Sequence, residues 1–199
     1  MSTDKTKSTN IATYPPGDFA IWIIIYIELI TFGLFFIGYA YSRRADIELF
    51  NASQLLLDQR AGFINTIILL TSSYFVVQAV EAIKTMQPKI AIEKAKCWLL
   101  LAIGFGGIFL VIKMSEFIGK YQDGINLSTN KFFMFYFLLT MFHFMHVLLG
   151  MIILYNLYQQ TKLGNYTKQN HKGLETGASY WHMVDLLWIV LFPLIYVIR

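Results

Sequence analysis

Residues 131–158 read KFFMFYFLLTMFHFMHVLLGMIILYNLY, an apolar run with few polar side chains. This run and four others in the chain are each long enough to cross the hydrocarbon core of a bilayer as a helix, which takes roughly 20 residues. Lipid offers the backbone no hydrogen-bonding partner, and a barrel strand would alternate polar and apolar residues, which these runs do not. The sequence therefore predicts an all-α polytopic membrane bundle of five transmembrane helices. The other four runs cover residues 19–41, 61–83, 96–118 and 178–198.

The composition excludes several classes of protein. Of 199 residues, 56% are hydrophobic and 14% are charged, against about 25% charged in an average soluble domain. A soluble domain of this size cannot bury so much apolar surface. The net charge of +4 comes from Lys and Arg in the connectors between runs, so we do not expect nucleic-acid binding. The single cysteine, Cys97, excludes an internal disulfide.

The apolar runs also predict the domain organisation. Residues 1–14 are polar, and we expect a flexible tail there, followed by a single five-helix transmembrane domain over residues 15–199. Asp18 is the expected N-cap of the first helix. Pro193 should kink the last helix or free a carbonyl group in it. The polar connectors, none of them long enough for a separate domain, are residues 42–60, 84–95, 119–130 and 159–177.

The distribution of basic residues predicts the orientation of the chain. Lys and Arg are more frequent in the N-terminal tail and the second and fourth connectors than on the opposite side. Cytoplasmic loops of membrane proteins carry this excess. We therefore expect a multi-pass protein of the bacterial cytoplasmic (inner) membrane, with its N-terminus in the cytoplasm and its C-terminus in the periplasm or outside.

Glu28 is the clearest candidate for a functional residue. It lies near the middle of the first run, where an ionisable group costs about 2.5–3.5 kcal/mol on insertion scales. A proton relay and a contact with lipid or a partner are the functional interpretations, and a carboxyl hydrogen-bonded inside the bundle is the structural one. His146 lies at a similar depth in the fourth run, and we hypothesise that the two side chains meet.

Other polar residues within the runs are interpreted as a structural network. Lys113 and Glu116 form an i, i+3 pair, and we expect the lysine to extend toward the membrane surface. Three glycines in the same run should allow close helix approach. The network also includes His143 and His146, which share one face of the fourth run. His182 and Asp185 share one face of the fifth run and belong to it as well.

The histidines leave another class of protein open. His143, His146 and His182 could serve a small membrane haem or metal protein, because a catalytic metal often takes three protein ligands and a bis-His haem takes one from each of two helices. No Glu-x-x-His pair of the kind found in di-iron bundles is present. We therefore predict no metal site and no catalytic residue. A proton or solute transporter acting through Glu28 also stays open, although no inverted repeat is evident.

Five segments carry a family resemblance. Residues 143–150 (HFMHVLLG) and 179–188 (SYWHMVDLLW) resemble the F-H-x-x-H-V-x-x-G and Y-W-H-F-V-D-x-x-W signatures of subunit III of haem-copper oxidases. Residues 27–32 (IELITF) resemble the buried-glutamate segment of that family. Residues 113–117 (KMSEF) and 124–133 (GINLSTNKFF) resemble two further segments, in the same order along the chain.

The resemblance implies an accessory role without a redox centre in this chain. Haem and copper or iron would belong to partner subunits, above all the catalytic subunit I. Subunit III would stabilise that subunit, hold lipid and support proton uptake. Glu28 matches the buried carboxylate that reacts with carbodiimides in the family, whereas the signature histidines and Asp185 match positions with a structural role.

The number of spans points to a subgroup of the family. Members commonly have seven spans, and this chain resembles a five-span form. Residues 15–18 (PPGD), 48–54 (ELFNASQ), 69–73 (LLTSS) and 173–179 (GLETGAS) most resemble the group associated with nitric oxide reductases. Quinol oxidase subunit III is the alternative.

Overall fold

The chain forms an all-helical membrane bundle. A computed structural model describes residues 17–198, so the predicted tail over residues 1–14 lies outside the described residues. Between residues 17 and 198 there is no β-strand. The helices are α1 (Phe19–Ala45), α2 (Ile47–Gln54), α3 (Gln59–Thr85), α4 (Pro88–Gln122), α5 (Lys131–Lys162) and α6 (Lys172–Phe192), and a π-helix (Pro193–Val197) follows α6.

Five of these segments are long and apolar enough to cross a membrane: α1, α3, α4, α5, and α6 with the π-helix. They coincide with the five apolar runs of the sequence. The prediction of an all-α polytopic bundle with five transmembrane helices is confirmed, and the chain is an integral membrane protein.

Helices extend into all four predicted connectors, and furthest into the first two. The second was placed at residues 84–95, but only Met86 and Gln87 separate α3 from α4. Pro88 takes the first position of α4, where its fixed φ suits a helix and its missing N–H costs nothing. The first connector contains α2, which the sequence analysis did not predict. Its Phe50 is buried, with its ring centroid 5.7 Å from that of Phe132 on α5.

Helices α3 to α6 form the body of the bundle, and α1 packs on its outside against α5 and α6. Only four residues of α1 are buried, which are Ile21, Ile25, Phe32 and Tyr39. Phe32 packs against Phe142 of α5, with ring centroids 5.2 Å apart. Most of α1 therefore presents an apolar surface away from the bundle, as a helix in contact with lipid or another subunit does.

Hydrogen bonds attach the first residues of α1 to α6. Asp18 is the N-cap residue, as predicted, but its side chain makes no capping hydrogen bond. Instead, its backbone N–H donates to Thr176 Oγ1 at 2.9 Å. The Gly17 N–H donates to Glu175 Oε2 at 3.3 Å, and the other oxygen of that carboxylate lies 2.5 Å from Lys84 Nζ on α3. Three helices thus meet at Glu175.

Pro193 marks a change of helix type, in line with the prediction of a local irregularity. The ring has no N–H to donate, so the α-helical pattern ends and a π-helix follows, in which the Ile198 N–H donates to the Pro193 oxygen at 2.9 Å. Side chains from three other helices donate hydrogen bonds to carbonyl groups of this last segment. These bonds run from Gln54 to Ile195 (2.8 Å), from Gln59 to Tyr196 (2.6 Å) and from Arg43 to Ile198 (2.6 Å).

Trp181 of α6 packs where glycines leave room on two neighbouring helices. A Cβ atom on Gly106 of α4 would come within 2.9 Å of the indole ring, and one on Gly150 of α5 within 2.8 Å. The expectation of close approach at the glycines of α4 is therefore correct for Gly106. Gly104 has no neighbour within 4 Å, and Gly107 has only a distant methyl group, so they do not mediate this contact.

Candidate functional site

Glu28 and His146 meet at the interface of α1 and α5, as hypothesised from their depths. Glu28 Oε2 lies 3.0 Å from His146 Nε2, and the glutamate side chain is 23% exposed. His146 Nδ1 lies 2.8 Å from the Phe142 carbonyl oxygen, which can only accept a hydrogen bond, so Nδ1 carries a proton. A hydrogen bond across the 3.0 Å gap then needs one further proton, held either by the carboxyl group or by Nε2. A single hydrogen bond therefore joins the carboxyl group to the imidazole.

Aromatic rings enclose the histidine of this pair. The rings of Phe32 and Phe142 meet the His146 imidazole edge-on, at centroid distances of 5.5 and 4.7 Å. They keep its ring orientation fixed while the Glu28 carboxyl stays at the partly open edge of the helix interface.

A second polar cluster joins α4, α5 and the π-helix. Lys113 Nζ lies 3.1 Å from Glu116 Oε2, which confirms the predicted ion pair. The other carboxylate oxygen accepts hydrogen bonds from Tyr136 (2.6 Å) and Tyr196 (2.7 Å). Lys113 Nζ also donates to the Tyr196 hydroxyl oxygen. The carboxylate is therefore bonded through both oxygens, as a buried ion pair requires.

The expectation that Lys113 extends toward the membrane surface is wrong. Its side chain is 1% exposed, and the ammonium group lies 5.0–5.4 Å from the centroids of four aromatic rings. The rings attract the cation through their electron-rich faces, and Glu116 neutralises it, so these contacts offset the loss of hydration. The rings are those of Phe117, Tyr136, Trp188 and Tyr196.

Tyr136 and Tyr196 were not identified from the sequence. Each lies in an apolar run, and the partner of both, Glu116, is on another helix. Tyrosine in such runs is common at membrane interfaces, so composition alone gave no signal of a buried hydroxyl.

His182 and Asp185 lie on one face of α6 but do not pair with each other. Nδ1 of His182 lies 2.6 Å from Ser73 Oγ on α3. Within residues 17–198, Asp185 forms no ion pair with His182, although its side chain is nearly buried. The histidine thus joins α6 to α3.

His143 is fully buried between two aromatic rings. Its ring centroid lies 5.1 Å from that of Trp188 and 5.8 Å from that of Phe109. Within the described residues, neither ring nitrogen has a hydrogen-bond partner. Trp188 in turn donates to Thr66 Oγ1 on α3 at 3.0 Å. His143 therefore sits in an aromatic stack that joins α4, α5 and α6.

The three signature histidines do not converge. His143 faces Trp188, His146 faces Glu28, and His182 faces Ser73. Across residues 17–198, no three His, Cys, Asp or Glu side chains are grouped so that they could hold a metal ion. These residues therefore do not form the three-ligand metal site of the alternative interpretation.

Comparisons with known proteins agree with this architecture. Residues 19–198 match the family model described as cytochrome c oxidase subunit III. A cytochrome c oxidase subunit 3 of Thermostichus vulcanus is 32% identical over 136 residues, which are 68% of this chain and 64% of that protein. One of Arabidopsis thaliana is 36% identical over 134 residues, 67% of this chain and 48% of that protein. A probable subunit 3 of Rickettsia conorii is 29% identical over 193 residues, covering 88% and 65%.

The aligned part spans about half to two thirds of the length of these relatives. The family model, by contrast, covers nearly every described residue, including all five membrane-crossing helices and both buried polar clusters. The chain belongs to the cytochrome c oxidase subunit III family.

Proposed function

We propose that the chain is an accessory subunit of a respiratory haem-copper oxidase-type complex. It would stabilise the catalytic subunit I, bind lipid and support proton uptake, while haem and copper or iron reside on partner subunits. The observation that carries this proposal is the match of residues 19–198 to the subunit III family. Two contacts between the signature segments agree with it, those of His143 with Trp188 and of Gly150 with Trp181.

The apolar surface of α1 supports an association within the membrane. Of its 27 residues only four are buried in the bundle. A helix that packs so little against its own chain is available to lipid and to a neighbouring subunit. We place residues 15–199 in one five-helix domain in a bacterial cytoplasmic membrane, with the N-terminus in the cytoplasm, from the excess of basic residues on that side.

The Glu28–His146 pair is the proposed contribution to proton uptake. Its two heteroatoms lie 3.0 Å apart, a hydrogen-bonding distance across which one proton would be able to move. Because the carboxyl is partly exposed at the edge of α1, it can exchange that proton with a group on a neighbouring subunit or with water at the interface. The pair would act as a local proton reserve beside the catalytic subunit.

The five-span form suggests which complex the chain serves. We propose the group associated with nitric oxide reductases, on the basis of residues 15–18, 48–54, 69–73 and 173–179. A quinol oxidase is the alternative. The identity of the catalytic subunit that accompanies the chain distinguishes them.

Purification in mild detergent tests the proposed function. The tagged full-length chain should co-purify with a large haem-bearing subunit, whose reaction with oxygen and with nitric oxide is then measured. The chain separated from its partners should show no stoichiometric Soret band and no bound metal. A haem band or redox turnover of the separated chain would overturn the proposal in favour of a haem or metal protein.

A further inference from the structure

A groove opens where α1 ends, on the side of the membrane opposite the first residues of α1. Its volume is 350 Å³. Tyr39 and Ile47 line it from one side, and Leu194 and Ile198 of the last segment line it from the other. Ile47 and Ile198 are about half exposed. The groove is therefore apolar and open along its length, between the end of a spanning helix and the C-terminal segment.

Two arginines lie at this groove, and no carboxylate of residues 17–198 neutralises them. Arg43 donates to the Ile198 carbonyl oxygen (2.6 Å) and to Asn51 Oδ1 (3.0 Å), and both acceptors are uncharged. Arg44 is exposed. Asp46 and Glu48 follow closely in sequence. Within residues 17–198, however, no carboxylate forms an ion pair with either arginine.

The position of this charge matches the layers of a bilayer. Arg43 and Arg44 occupy the last turn of a helix long enough to span the membrane, so their guanidinium groups lie at headgroup level. Arginine binds phosphate oxygens through two parallel hydrogen bonds. Basic pockets between transmembrane helices recognise anionic headgroups in the same way. We propose that this groove binds an anionic phospholipid, with its phosphate at Arg44 and Arg43 and its acyl chain along the apolar walls.

This inference rests on the lipid-binding part of the proposed function and names the class of lipid and its site. Arg44→Gln is the informative variant, since Arg44 makes no hydrogen bond within the described residues and its loss should leave the fold intact. Arg60→Gln is the matched control. Arg60 is an exposed arginine at the start of α3, on the same side of the membrane, and does not line the groove.

Native mass spectrometry of the full chain, in mild detergent with its accompanying subunits, measures the retained lipid. Phosphatidylglycerol should bind the wild type and Arg60→Gln in preference to phosphatidylcholine. Arg44→Gln should bind it about fivefold more weakly, since one basic residue at the surface contributes about 1 kcal/mol. Arg44→Lys should keep most of the preference. Equal binding of the two lipids, or unchanged binding by Arg44→Gln, would overturn the proposal.

The two proposals can fail separately. Co-purification with an oxidase subunit but no lipid preference overturns only the lipid site. Preferential lipid retention without any haem-bearing partner overturns only the proposed function. If Arg44→Gln instead releases a protein subunit while lipid retention stays the same, the groove binds an acidic protein segment, and the lipid site is wrong.

Discussion

The carboxyl group of Glu28 lies 3.0 Å from the imidazole of His146, across the interface of α1 and α5. This contact is one of few that hold α1, since only four residues of that helix are buried. A polar contact of this kind has two consequences. It adds to the docking of α1, and it keeps an ionisable group deep in the membrane without leaving it unpaired.

Glu28→Gln should leave the chain nearly intact. The glutamine oxygen or nitrogen still reaches His146 Nε2, so a hydrogen bond survives although the ionisable carboxyl group is lost. We expect a change in the free energy of unfolding of at most about 1 kcal/mol, the net contribution of a typical hydrogen bond. Thermal unfolding in detergent and the amount of protein in the membrane are the measurements. Complete absence of the variant from the membrane would contradict this expectation.

His146→Leu should be more damaging than Glu28→Gln. It leaves the carboxyl of Glu28 without its partner in a mostly apolar interface, which costs about 1–3 kcal/mol. The variant should accumulate to a lower level and unfold at a lower temperature. If the two variants are equally stable, the Glu28–His146 contact does not contribute to docking of α1.

The buried pair of Lys113 and Glu116 has a natural control on the same helix. Lys96 and Glu93 are also an i, i+3 pair on α4, but Glu93 is 73% exposed. Lys113→Met should cost about 3–5 kcal/mol, because Glu116 loses its counter-ion in a site that excludes water. Lys96→Met should change stability by no more than about 1 kcal/mol.

A double variant separates the ion pair from simple packing. Lys113→Met combined with Glu116→Gln removes both charges, so it should be less destabilised than Lys113→Met alone. The measurement is a thermal unfolding series of the two single variants and the double variant. A double variant whose loss equals the sum of the two single losses would show that the charges do not interact.

Hydropathy and helical spacing predicted the five spans and the residues that pair within one helix. The length of an apolar run and the i, i+3 spacing of Lys113 and Glu116 are local properties of the chain. The Glu28–His146 contact could be anticipated as well, because depth in a membrane is proportional to position along a helix. In a membrane protein, the position of a residue along its helix therefore indicates its depth in the bilayer, and a soluble protein has no equivalent measure.

Hydrogen-bond partners that lie on different helices could not, in most cases, be predicted from the sequence. The tyrosines that bond Glu116, and the serine that bonds His182, depend on how each helix is rotated about its axis. Rotation follows from the packing of many side chains, such as Trp181 against two glycines, and not from any single motif. Helix α2 was missed for a related reason, since its eight residues are too short for a hydropathy signal.

Tyr196→Phe tests the attachment of the C-terminal segment. The Tyr196 hydroxyl accepts from Lys113 and donates to Glu116, so its removal leaves each with one partner fewer. We expect a loss of about 1–3 kcal/mol. Tyr121→Phe is the control, because that tyrosine is 77% exposed and should show little change. Equal stability of both variants would mean that the hydroxyl of Tyr196 does not hold the π-helix in place.

Gly150→Ala should destabilise the bundle although alanine is the better helix former. An added methyl group would lie 2.8 Å from Cε3 and 2.9 Å from Cζ3 of Trp181, a rigid ring that also packs against Gly106. Displacing such a ring in a packed core costs about 1–3 kcal/mol, more than the roughly 0.5–1 kcal/mol that alanine gains over glycine in a helix. Gly104→Ala adds the same methyl group where no atom lies within 4 Å, so it should be neutral or stabilising. Thermal unfolding of the two variants measures the difference. In a double variant that combines Gly150→Ala with Trp181→Phe, the smaller ring should restore part of the lost stability. If Gly150→Ala is as stable as Gly104→Ala, Trp181 does not fill the space between α5 and α6.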